Sequence, residues 1–151
     1  MPQLITDDSK VVARARMSIA QNSPTNQTTA IFFDSVDFDP YGVITNAGNT
    51  SFRLTAPMNG IYRVTVVMTT SGTTTNNMET NTVILKNGSY YSQMFRNRVQ
   101  GAAIGTPYLT YSSDLIPLNK GEYIHISGNS STVLAFDISN TNTNYICFEK
   151  V

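Results

Sequence analysis

The chain has 151 residues, sets 10 Lys and Arg against 10 Asp and Glu, and is only 13% charged. That is the size of one domain with an ordinary core, and its zero net charge lacks the overall electrostatic signature of a nucleic-acid binder or of a protein drawn to an acidic membrane, leaving only local clustering open. A single cysteine rules out an intrachain disulfide framework, and one histidine with one cysteine cannot assemble a zinc site.

The first residues, MPQLITDDSKVVARARM, show neither a basic stretch followed by an apolar core nor a run near 18 apolar residues. No secretion signal and no membrane helix are therefore expected. Residues 1–12 read as an N-terminal arm with an apolar spot at Leu4 and Ile5. Such an arm is either a frayed terminus or a segment that docks on a neighbouring subunit or partner. Strand one is expected over Ala13–Ala20, with Ala13, Ala15, Met17 and Ile19 on one face. Arg14 and Arg16 fall on the other face, as a solvated surface or a rim that meets a neighbour's carboxylates.

A polar stretch containing Pro24 follows as loop, then a strand over Ile31–Phe38 and a turn at Asp39-Pro40-Tyr41-Gly42. Short strands are expected at Val43-Ile44 and Ser51–Thr55, ahead of the turn Pro57-Met58-Asn59-Gly60, where Gly60 is assigned any positive φ. The best-specified strand comes next, with Tyr62, Val64, Val66 and Met68 on one face and Arg63, Thr65 and Val67 on the other. Beyond a Gly/Thr/Asn loop at residues 71–77, Glu79–Lys86 alternates with Val83 and Leu85 inward and stops at Asn87-Gly88, a strong hairpin signal. Ser89–Arg98 is a strand with adjacent tyrosines, Tyr90 and Tyr91, so at least one of them faces outward. After a glycine-bearing loop at residues 99–106, strands are expected at Tyr108–Leu115, Glu122–Ser127, Thr132–Ile138 and Asn144–Val151, with a turn at Pro117–Gly121. Nothing carries a helical period. Ser, Thr and Asn make up about a third of the chain, which suits short strands and many turns. Eight to ten short strands predict an all-β antiparallel sandwich or barrel.

Five segments in order resemble one family: Phe33-Asp34 with Val36; Phe52 with Ala56-Pro57; Gly60-Ile61-Tyr62 with Val64; Leu85-Lys86-Asn87-Gly88; and Gly121-Glu122-Tyr123-Ile124. The pattern over residues 13–151 resembles the globular head of complement C1q and the tumour-necrosis-factor-like jelly rolls. The resemblance implies a jelly-roll sandwich of about ten strands assembled as a homotrimer. No collagen-like Gly-x-y stretch precedes the domain, and Cys147 stands where the family often has a small residue. Outward tyrosines among Tyr90, Tyr91, Tyr108 and Tyr111 are candidates for a trimer interface, since Tyr is enriched in such contacts. The alternative is that these rings lie over their own sandwich.

Chemistry is sparse. His125 stands alone on a strand, where a packed or solvated side chain is the expected role and catalysis the exception. Asp34, Asp37 and Asp39 are solvated or turn-capping aspartates, or else a calcium site of the sort related domains often carry. By alternation Asp37 and Asp39 share a face and Asp34 opposes them, unless a bulge intervenes. Cys147 is expected as a small buried hydrophobe.

No catalytic residue, metal or cofactor is expected. The expected role is a non-enzymatic virion component: a trimeric capsid decoration (cement) protein on the capsid exterior. Its partners would be copies of itself and the major capsid protein. Leu4 and Ile5 would anchor it, and neither nucleic acid nor membrane is a partner. The low charge and Thr/Asn-rich composition, common in virion proteins, point that way. The alternative is the receptor- or glycan-binding head of a phage fibre, reading a host surface glycan through loops 71–77 and 99–106.

Overall fold

Alternation in the stretch after Pro57 builds the longest strand of the protein. In β5 (Gly60–Ser71), Tyr62, Val64, Val66 and Met68 are buried while Ile61 and Arg63 are exposed, as a two-residue period requires. The computed structural model describes residues 10–23, 29–71, 78–98, 108–131, 135–136, 138 and 144–151. Among these there is no helix, and ten further strands accompany β5. They are β1 (Val12–Arg16), β2 (Ser35–Phe38), β3 (Ile44–Thr45), β4 (Arg53–Thr55), β6 (Glu79–Lys86), β7 (Ser89–Arg98), β8 (Tyr108–Leu118), β9 (Tyr123–Ser130), β10 (Ala135–Phe136) and β11 (Tyr145–Lys150).

The strands form two antiparallel sheets. The first runs β8-β5-β11-β1-β2, with β10 also pairing the end of β5; the second runs β3-β4-β9-β6-β7. The chain crosses between sheets from β2 to β3, β4 to β5, β5 to β6, β7 to β8, β8 to β9 and β9 to β10, which is jelly-roll connectivity. Inner faces of both layers supply one core. Ala13, Ala15, Tyr62, Val64, Ile116, Ile146 and Phe148 meet Leu54, Ile84, Ile124 and Ile126, with Phe33 and Phe52 between them at 5.5 Å.

Several sequence expectations need correction. Strand one stops at Arg16, and Ile19 is exposed rather than inward, because the Asp34 carboxylate accepts the N–H groups of Ser18 (2.7 Å) and Ile19 (3.1 Å) and ends the ladder. The stretch expected as one strand over Ile31–Phe38 serves both sheets. Ala30 bridges Ser127 and Ile31 N–H donates to Ile126 O in the second, whereas only Ser35–Phe38 pairs in the first. Gly60 has no positive φ; it is the first residue of β5, where a Cβ would meet the flexible Lys150 side chain at 2.8 Å. In β6 it is Ile84 that enters the core, opposite Ile126, while Val83 and Leu85 lie on the other face, opposite Ser127 and His125. Pro117 belongs to β8 rather than to the turn, which its place in an edge strand permits. In β11 the core positions go to Ile146 and Phe148, so Cys147 is half-buried on the outer face.

The Asn87-Gly88 turn forms as expected, with φ of 50° and 81° closing β6 onto β7. Gly128 has a different reason to be glycine. A Cβ there would stand 2.8 Å from the Asn81 carbonyl oxygen in β6, and paired backbone cannot step aside. Gly128→Ala is therefore expected to cost about 1–3 kcal/mol through overpacking, read as a lower urea midpoint at unchanged slope.

Candidate functional site

The outward residues of the first sheet form rows fixed by register. Leu115, Arg63, Glu149 and Val12 make one row; Ser113, Thr65, Cys147 and Arg14 the next; Tyr111, Val67, Tyr145 and Arg16 the third. Beyond the first row, Val151 N–H donates to Ile61 O at 2.9 Å, and Ile61 pairs with Pro117. Ile61 is 51% exposed, Leu115 51%, Val151 54% and Tyr111 66%. Ile61, Leu115 and Val151 are neighbours at one end of this face, and Tyr111 lies two rows away, past the polar Ser113–Thr65 row.

Charges on this face are mostly neutralised within the chain. Arg63 meets Glu149 at 2.7 Å. Asp37 lies between Arg16 (2.5 Å) and Arg14 (3.4 Å), because the ladder between β1 and β2 shifts register there. Arg14 also stacks over the Tyr145 ring at 4.5 Å. In the middle row the Thr65 and Ser113 hydroxyls are 3.3 Å apart. Burial pushes the Cys147 thiol up, with the Glu149 and Asp37 charges adding and Arg14 opposing, so it stays protonated and is a poor nucleophile.

The tyrosines singled out from the sequence lie on two edge strands. Tyr90 and Tyr91 are exposed on β7, and Tyr111 is exposed on β8. These strands flank the same opening of the sandwich, where Ser112 Oγ donates to Met94 O (3.3 Å) and Ser92 Oγ to Asp114 (2.5 Å). The Tyr108 side chain, Leu4 and Ile5, and loop residues 72–77 and 99–106 lie outside the described residues. Ile61, Leu115 and Val151 were not recognised from the sequence, although Ile61 precedes an inward Tyr62 and alternation alone turns it outward.

The three aspartates diverge to separate structural tasks. Asp34 accepts from Ser18 Oγ as well as from the Ser18 and Ile19 N–H groups. Burial works to raise its pKa, but those hydrogen bonds outweigh it and the net position is lowered. Asp37 holds the two arginines, and Asp39 accepts the Val43 and Ile44 N–H groups, both at 2.8 Å. Among the described residues no three His, Cys, Asp or Glu side chains gather to hold a metal ion. His125 is on the outer face of the second sheet, half-buried, and its Nε2 is buried without a hydrogen-bond partner.

No family model and no curated protein sequence matches the chain. Solved structures do. The globular domain of zebrafish complement 1qA superposes with a TM-score of 0.60 at 8% identity, covering 91% of this chain and 94% of that one. The Eiger TNF of S. frugiperda gives 0.65 at 11% identity, covering 94% and 92%. Murine APRIL gives 0.61 at 12% identity, covering 95% and 100%. The protein therefore has the jelly-roll fold that C1q and tumour-necrosis-factor domains share; identities this low establish fold alone.

Proposed function

We propose that this jelly roll is a non-enzymatic assembly module that works as a homotrimer, joined through the outer face of the first sheet. The observation that carries the reading is the exposure of Ile61, Leu115, Val151 and Tyr111 on one face whose charged groups are largely paired already. Covering such a face removes apolar surface from water at about 25 cal/mol per Å², with little unpaired charge to desolvate. Tyr90 pairs with Leu85 on the outer face of the second sheet and lies away from this contact, whereas Tyr91, exposed on the β7 edge, supplies an amphipathic ring suited to its rim.

Within that reading the trimer is a decoration protein on the exterior of a virion capsid. Its low charge and Thr/Asn-rich composition support this role. Three copies bound to one junction of major capsid protein would hold by multivalency even where each contact is weak. The arm carrying Leu4 and Ile5 is the proposed anchor. Deleting residues 1–9 is expected to leave the trimer intact and to reduce its co-sedimentation with shells of the major capsid protein. Unchanged co-sedimentation overturns the anchor. A protein that ignores shells but is retained on a host-glycan array instead supports the fibre-head alternative.

A further inference from the structure

His125 occupies β9, the middle strand of the second sheet, so its outward side chain is bordered on both sides. Leu85 of β6 is its direct partner, and Tyr90 of β7 stands beyond Leu85. On the β4 side lies Arg53, one residue from the Leu54–Ile124 pair, with its guanidinium 4.2 Å over the Tyr123 ring. Along β9 its same-face neighbours are Tyr123 and Ser127, and the Ser127 hydroxyl already donates to Thr29 O at 2.6 Å. Lys86, next along β6, sends its ammonium to Glu122 (2.9 Å) and Pro117 O (2.9 Å).

Among the described residues no aspartate or glutamate is left over to face this imidazole. Among the described residues Asp34, Asp37, Asp39, Glu79, Asp114, Glu122 and Glu149 each hold a partner elsewhere. A proton added to the ring would bring a second cation beside Arg53, on a face whose Val83 and Leu85 are almost wholly buried.

We propose that His125 is an acid-sensitive point built into the second sheet: protonating it sets two uncompensated cations on adjacent strands and loosens the β4-β9-β6 pairing. Burial first, and then the Arg53 charge, hold the imidazole below its ordinary 6.5. As pH falls through the unfolded value the unfolded chain takes up a proton that the folded chain refuses, so stability falls. Each pKa unit of depression lowers the folded-to-unfolded ratio about tenfold once the pH is below both values. The His125 loss begins as pH falls below about 6.5, above the range of about 3.9–4.3 in which unfolded carboxylates take up protons. The device is independent of the trimer reading, because the face involved belongs to the other sheet.

The 151-residue chain has one histidine, so its imidazole resonance can be followed without assignment ambiguity. An NMR titration of the folded protein is expected to give a midpoint below 6.5, moving toward that value in Arg53→Gln. Urea midpoints compared between about pH 7 and pH 5 should fall in the wild type and stay nearly level in His125→Asn and His125→Phe. A histidine midpoint at or above 6.5, or equal acid loss in the wild type and both His125 variants, overturns the proposal.

Discussion

Phe148→Ala is expected to remove about 3–5 kcal/mol of folding stability. Phe148 is fully buried in β11, between β5 and β1, and its ring stacks on Tyr62 at 4.6 Å with 13° between planes. Truncation loses the transfer energy of the ring, leaves a cavity among paired strands that cannot collapse, and breaks an aromatic contact worth about 0.5–1.5 kcal/mol beyond its area. Against a total of about 5–15 kcal/mol for a domain, that loss is a large share. Urea unfolding followed by circular dichroism measures it, with the slope unchanged if the denatured state is unaltered. Tyr62→Phe is a useful control. It keeps the stack and loses only the 2.7 Å hydrogen bond to Met58 O, for about 1 kcal/mol.

The second large effect falls on assembly and leaves the fold alone. Replacing Ile61 and Leu115 together by lysine is expected to turn the trimer into folded monomers. Both side chains are about half exposed in the protomer, so the substitutions cost the isolated fold little. In a covered interface each ammonium would be buried near Arg63, whose one carboxylate partner, Glu149, is already engaged. An uncompensated buried charge costs about 3–5 kcal/mol, which weakens association by at least a hundredfold per site. Unchanged far-ultraviolet dichroism with a lower mass by light scattering is the expected result. A double variant that stays trimeric places the contact on another surface.

How far the sequence carried these conclusions differs by element. β5 was legible from period-two alternation, and the extents of β6 and β7 from the Asn87-Gly88 turn between them, because both are local properties of the chain. The segment from Ala30 to Phe38 was not. Its change of sheets depends on the hydrogen bond from Ile31 to Ile126, 95 residues away, which no local pattern encodes. The inward choice of Ile84 over Val83 and Leu85 was hidden for a related reason. All three are apolar and nearly buried, so only pairing with β9 decides which one enters the core. The exposed face was half legible. Alternation puts Ile61 and Leu115 outward, but their union into one surface requires the β5–β8 register. Asp37 shows the same limit, because a register shift turns it between Arg14 and Arg16 where simple alternation would pair it with Asp39.

In the proposed trimer the outer face of the first sheet is covered by further copies of the same chain. Sedimentation equilibrium of the purified 151-residue chain, across micromolar concentrations, measures this most directly. The predicted result is a single species at three times the 16.6 kDa protomer mass. A stable species at the protomer mass over the whole range would contradict it.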